Sequence, residues 1–342
     1  VTGPRPTPVQ ACRRCLLPAT LPGLAFTADG LCDLCAATGE AEAEAERVAL
    51  RARLDALYAA HRGTRPYAAI VAYSGGKDSS YTLKHLVEEQ GLRCLAITVD
   101  NGFLSAGTLD NCRAVCAALD VDLVVFTPSR RFTERMYRAS VERDDLHAPA
   151  AVKRASAICS SCITLINTHM LQRALELRVP IVAGGYLGGQ VPRDGAVMTL
   201  RPGRQARIRT ALVNRFVGAL GEGARRYFDL PGAAEGDPEV VVVNPMLGVA
   251  LSEEAIKAAL APLGWRQPTD TGLTSTNCRL NDLGVYLHSR RHGFHPYAME
   301  IAEQLRGGTI SREAAARKLG TLPGRGDVAW MAERIGLPAD AL

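Results

Sequence analysis

Three groups of residues have types and spacings that do chemistry. The stretch "SAICSSCITLIN", residues 156–167, holds Cys159 and Cys162 as a CxxC pair. Such a pair is a redox couple, part of a metal site, or two buried thiols that pack. The stretch "ACRRCLLPATLPGLAFTADGLCDLCA" carries Cys12 and Cys15 and, separated from them by sixteen residues, Cys32 and Cys35. Two CxxC knuckles at that distance match a four-thiolate zinc site, structural because protein fills every ligand position. A module this short and rich in Pro and Gly has little core, so bound Zn²⁺ would supply its folding energy. The third group lies in "YSGGKDSSYTLKHL", where Ser74, Gly75, Gly76, Lys77, Asp78, Ser79 and Ser80 sit between an apolar run and a helical pattern. Paired glycines let backbone amides close on an anion, the serines add donors, and the helix start directs its positive end at the same point. The spacing is a phosphate cradle but neither a Walker loop nor GxGxxG.

The elements that must position these groups follow from periodicity. Short β-branched runs, "AAIVAY", "CLAITV", "DLVVFT", "PIVAGG" and "EVVVVNP", alternate with helical segments, "SYTLKHLVEEQ", "AGTLDNCRAVCAALD", "RRFTERMYRASVER", "CITLINTHMLQRALEL" and "RTALVNRFVGAL". Alternation of this kind predicts an α/β doubly wound parallel sheet with ligands at the carboxyl ends of its strands. The spacing gives a cysteine module over residues 1–38, a helical connector over 39–64, the sheet domain over 65–250, and a mostly helical region over 251–342. Ser252 and Ser311 are expected N-caps in the last region.

The "SGGKDS" loop resembles the signature of the PP-loop superfamily, the ATP pyrophosphatases, which include the glutamine-dependent synthetases for GMP and NAD. The resemblance implies an adenine nucleotide alpha hydrolase-like sheet that splits ATP between its α and β phosphates and places AMP on a substrate oxygen, from which a nucleophile displaces it. It further implies that residues 74–80 hold the pyrophosphate, that Lys77 offsets its charge, that Asp78 holds Mg²⁺ or fixes the loop, and that Asp100 in "ITVDNG" contacts the nucleotide. Read by itself, Asp100 is equally a turn former before Asn101 and Gly102.

Cys159, Cys162 and then Cys278 in "TSTNCRLND" resemble the layout of zinc-ribbon tRNA 2-thiolation enzymes, in which three cysteines hold a [4Fe–4S] cluster. Three thiolates would leave one iron open to a sulfide that is delivered to the adenylated carbon. Persulfide chemistry on the same cysteines is the alternative. A helix beginning after Cys162 would favour thiolates there. Where those enzymes place an acidic pair in "GHNLDD", this chain reads "GGYLGGQVPRD", leaving Asp194 as the nearest substitute. "CRRCLLPATLPGLAFTADGLCDLC" and "GFHPYAMEIAEQLRGG" resemble the two ends of the N-acetyl sugar amidotransferases, which use ammonia from a partner glutaminase. The leading expectation is an ATP-dependent sulfurtransferase acting on a small molecule or tRNA, with a sulfur donor protein or sulfide. An amidotransferase and a non-catalytic nucleotide-binding regulator stand beside it.

Of ten cysteines, Cys94, Cys112 and Cys116 fall in apolar patterns and belong to the core. The net charge is +5, with Arg201, Arg204, Arg207, Arg209 and Arg215 in one segment without an acid, suited to a phosphate-bearing partner or simply a solvated face. His288, His292 and His295 with Arg290 and Arg291 read as surface residues or a substrate-contacting face near Cys278. No run reaches the roughly twenty apolar residues of a membrane span, so a cytoplasmic protein, and by resemblance a homodimer, is expected.

Overall fold

The computed structural model describes residues 10–37, 39–230 and 238–342. The first residues of the cysteine module, 1–9, and its boundary residue 38 lie outside that set. The five expected strands form as β1 (Ala69–Ala72), β2 (Cys94–Val99), β3 (Asp122–Phe126), β4 (Ile181–Ala183) and β6 (Val240–Val243), and a sixth, β5 (Val197–Leu200), joins them. Their order is β3-β2-β1-β4-β6-β5, parallel throughout except for β5, which runs antiparallel to β6 with Val197 opposite Val243. β1 is paired on one side with β2 and on the other with β4, so the winding reverses there. The crevice beyond the carboxyl ends of β1 and β4 is therefore the expected ligand position.

The strands read as unbroken apolar runs because helices cover both faces. Ile70, Ile97, Val182 and Val240 belong to one core layer, and Val71, Ala96, Ile181 and Val241 to the other. The helices of this part of the chain are α1 (Glu40–His61), α2 (Lys77–Lys84), α3 (Ala106–Ala118), α4 (Arg130–Glu142), α5 (Ala157–Leu177) and α6 (Pro202–Leu212), of which α2 and α5 line the crevice. The connector α1 packs Leu54 and Tyr58 into the second core. Two helix starts differ from the sequence expectation. α5 begins at Ala157 with Ser156 as N-cap, accepting from the Cys159 amide at 3.2 Å, so the CxxC lies inside the helix. α6 begins at Pro202, a residue pre-set for the first helical position.

The C-terminal region is helical, as expected: α7 (Glu253–Leu260), α8 (Leu280–His292), α9 (Ala298–Arg306), α10 (Arg312–Gly320) and α11 (Arg325–Arg334). Ser252 and Ser311 cap α7 and α10, accepting from the amides of Ala255 and Ala314 at 3.2 and 3.1 Å. A separate small core joins the cysteine module to Phe294, Ala298 and Ala302. No helix among the described residues is long and apolar enough to cross a membrane.

Candidate functional site

β1 runs directly into the glycine-serine loop, and Gly76 is the N-cap of α2. Gly75 has φ +74°, and a Cβ there would lie 2.7 Å from the Cys112 Sγ, so both backbone angle and space require glycine. Ser74 and Ser79 share a hydroxyl contact of 3.0 Å, and the Ser79 hydroxyl donates to the Gly76 carbonyl at 3.2 Å, curling the loop. Lys77 is 9% exposed, with its Nζ 2.9 and 2.7 Å from the two Asp78 oxygens. Burial works against its charge, but Asp78, Glu253 and Glu300 outweigh it and raise the pKa. Just after β4, a Cβ on Gly185 would sit 2.7 Å from the Ser79 Cα, so this loop and the first turn of α2 approach as closely as backbone permits.

A segment from the far end of the chain folds over this loop. The Thr276 hydroxyl accepts from the Lys77 amide at 3.1 Å, and the Asn277 side chain donates to the Ser74 carbonyl at 3.3 Å. The same segment pairs with the loop after β2: the Ser105 amide donates to the Asn277 carbonyl at 2.9 Å and the Arg279 amide to the Phe103 carbonyl at 3.0 Å. These bonds carry Cys278 to the carboxyl end of the sheet. Cys159 and Cys162, three residues apart on α5, share a helix face. The Asn101 Nδ2 donates to Cys162 Sγ at 3.6 Å and to Cys278 Sγ at 3.5 Å, while Cys159 Sγ lies 3.7 Å from Asn281 Oδ1. The cysteines expected to act together are therefore together.

Phosphate loop and cysteine trio line one cavity of about 970 Å³. Ile97, Val99 and Ile166 give it an apolar wall, while Lys77, Lys257 and Lys318 supply cations suited to a polyphosphate. Two acids that the sequence pattern did not single out lie here. Glu253, in the first turn of α7, pairs with Lys257 and Lys318 at 2.6 Å each. Burial opposes its ionisation, but Lys77, Lys257 and Lys318 hold its pKa down at about 2. Glu300 on α9 accepts from Gln190 and Gln304 at 2.9 Å each, and burial, with Asp78 adding to it against Lys77, lifts its carboxyl to about 7.

Burial also governs the trio, pushing Cys159 up to about 11, Cys278 up to about 12, and Cys162 upward. The expectation that a helix end would make them thiolates is corrected on this point: the helix starts before the pair, and desolvation dominates. A soft metal would have to displace the protons. Among the described residues, the ligand atoms that come within 4.8 Å of one another in groups of three or more are those of the N-terminal quartet alone, so the trio is too open for one tetrahedral ion. Cys162 and Cys278 share the Asn101 Nδ2, and all three thiols line one cavity, the donor set that a multi-iron group would take.

Other expected site residues are placed elsewhere. The Asp100 carboxylate accepts from the Gly102 amide at 2.9 Å, closing its own turn, and it is Asn101 that lines the cavity. Asp194 lies outside the main cavity, in an adjoining one that also touches Lys77 and Asp78. Arg201, Arg204 and Arg207 line a separate open cleft, while Arg201 and Arg209 have the acid partners Glu239 and Asp229. His288 and His295 are buried beside Phe294 rather than on a surface, and desolvation lowers them to about 3 and about 4. None of the three histidines lines the cavity. Cys94, Cys112 and Cys116 are core thiols, as expected.

In the N-terminal module, Cys12, Cys15, Cys32 and Cys35 are buried with all four sulfurs within 4.8 Å of one another, and Cys15 and Cys32 are 3.6 Å apart. A tetrahedral ion at about 2.3 Å from each sulfur sets edges of about 3.8 Å, so the donor set and spacing fit Zn²⁺. The Cys32 amide donates to Cys12 Sγ at 3.2 Å. α9 serves both sites: Ala298 and Ala302 pack on the module, Arg306 faces its cysteines, and Glu300 with Gln304 faces the cavity.

No family model matches the chain. A curated relative, the uncharacterized protein MJ1599 of Methanocaldococcus jannaschii, is 25% identical over 253 residues, covering 74% of this chain and 72% of its own. Two solved structures align over most of their length. The U34-tRNA thiolase NcsA from Methanococcus maripaludis with its [4Fe–4S] cluster has TM-score 0.34 and 13% identity, over 92% of this chain and 89% of that one. The NAD+ synthetase from Burkholderia pseudomallei has TM-score 0.35 and 16% identity, over 88% and 91%. Likeness at this level transfers no activity.

Proposed function

We propose that the protein is an ATP pyrophosphatase of the PP-loop type that adenylates a substrate oxygen and replaces it with sulfur. One observation carries the reading: the phosphate loop and the three cysteines open into a single cavity. Backbone amides of residues 74–79 receive the pyrophosphate half of ATP at the start of α2. Lys77, drawn from Asp78 by the phosphates, offsets the charge that develops as pyrophosphate leaves, and Asp78 is freed to meet Mg²⁺. The apolar wall takes the nucleoside, and AMP remains on the substrate oxygen. A hydrosulfide then forms the C–S bond, its proton passes to a carboxylate of the cavity, for which buried Glu300 is placed, and the C–O bond to AMP breaks. Cys159, Cys162 and Cys278 would hold a [4Fe–4S] cluster, whose chemistry is to offer an iron without a protein ligand as a seat for that sulfur.

A second reading has a specific support. The two chain ends that resemble N-acetyl sugar amidotransferases, the cysteine module and residues 294–302, are packed together as one small core. In that reading ammonia from a partner glutaminase takes the place of hydrosulfide. One assay separates the readings: ATP and Mg²⁺ are supplied with bulk tRNA or a nucleotide sugar as acceptor and with sulfide or ammonium as nucleophile. AMP and pyrophosphate in equal amounts, dependent on sulfide and with sulfur in the acceptor, support the first. Dependence on ammonium alone supports the second. Cleavage to ADP overturns both, and ATP binding without cleavage leaves a regulator.

A further inference from the structure

Cys162 and Cys278 come from α5 and from the loop before α8, and a side chain from a third segment ties them together. Asn101 follows β2, is 4% exposed, and lines the cavity. Its Oδ1 accepts from the Phe103 amide at 2.9 Å, and Phe103 is itself held by the Arg279 amide at 3.0 Å. With the oxygen so engaged, the orientation of the carboxamide is settled, and its NH₂ is left facing the sulfurs at 3.6 and 3.5 Å. An amide nitrogen has two protons, one for each sulfur. The buried Tyr137 hydroxyl lies beside both Asn101 and Cys162, and a buried NH₂ without acceptors would be costly.

We propose that Asn101 is a positioning residue of the cysteine site: it fixes the spacing of Cys162 and Cys278 and sets the reduction potential of the iron–sulfur group they hold. The inference rests on the sulfurtransferase reading. N–H donors to ligand sulfurs stabilise the more negatively charged, reduced state, so they raise the potential. A role confined to shaping the turn after β2 would leave the potential where it is.

Two variants separate these roles. Asn101→Asp keeps an oxygen for the Phe103 amide but removes both donors and adds a negative charge. Asn101→Ala removes everything. Protein reconstituted without oxygen with iron and sulfide is titrated electrochemically, with circular dichroism to confirm the fold. The expected result is a midpoint shifted negative in Asn101→Ala and further negative in Asn101→Asp. Midpoints equal to the wild type in both would overturn the inference while leaving the sulfurtransferase reading intact. Should the wild type take up no iron, the cluster is excluded and persulfide chemistry is left for sulfur transfer, and positioning is read on metal-free protein with dibromobimane, which bridges two nearby thiols. A Cys162–Cys278 bridge formed as readily in Asn101→Ala as in the wild type would then overturn the positioning role; a several-fold lower yield would uphold it.

Discussion

Glu300 should make the folded state weaker as pH rises, and replacing it with glutamine should remove that loss. Its carboxyl is 8% exposed and lifted from 4.5 to about 7. Between those values the folded protein binds a proton that the unfolded chain has already released, so stability falls as pH rises through this window and is level above it. At about 1.4 kcal/mol per pH unit the loss is about 3 kcal/mol. Glu300→Gln has no such term. Gln190 can still donate to the new side-chain oxygen, because its own Oε1 is held by the Leu187 amide at 2.9 Å, while Gln304 is free to turn and accept. Urea unfolding of both proteins at pH 5 and pH 8 tests this, and protonation of other groups cancels in the difference. The variant should gain about 3 kcal/mol on the wild type between the two pH values. An equal difference at both would refute the argument that burial, against Lys77 and with Asp78, controls this carboxyl. A cavity that keeps a costly acid does so for chemistry, which is the reason for assigning it the proton of the nucleophile.

Two further outcomes are expected. In Gly185→Ala the new Cβ would lie 2.7 Å from the Ser79 Cα, so the start of α2 must move; ATP affinity by calorimetry should fall at least about tenfold, or about 1.4 kcal/mol, and an unchanged affinity would count against the loop as the phosphate site. In Cys32→Ser the N-terminal quartet is broken, so about one zinc per chain should be lost and amide exchange should rise in α9, whose Ala298 and Ala302 pack on the module, but not in α3. Unchanged exchange in α9 would mean that the module does not hold that wall of the cavity.

The glycine-serine loop is legible as a strand-to-helix turn because it is built from contiguous residues whose types each have a local reason. The trio was legible in part: the CxxC announces itself, whereas Cys278 depends on a β2 loop pairing with residues 277–279, and no local pattern reports such a contact. Asn101 was hidden as a turn residue beside Asp100, and only the fold shows which of the two faces the cavity. Glu300 did carry a signal, a carboxylate among Ala298, Ile301 and Ala302, all buried on α9. An acid within an apolar stripe is costly unless the stripe borders a site. β5 was missed because "VMTL" is four residues long and joins the sheet antiparallel, outside the strand-helix alternation. His288 and His295 were misplaced for the opposite reason: a basic neighbourhood in sequence turned out to be the underside of the cysteine module.

The central claim is that this cavity joins ATP activation to an iron–sulfur site built on Cys159, Cys162 and Cys278. Its most direct test is the iron, acid-labile sulfide and zinc content of protein purified without oxygen, with the visible absorption spectrum, beside the Cys159→Ala, Cys162→Ala double variant. The account predicts about four irons and about one zinc per chain, with iron lost and zinc kept in the variant. Zinc without iron, even after anaerobic reconstitution, would contradict it.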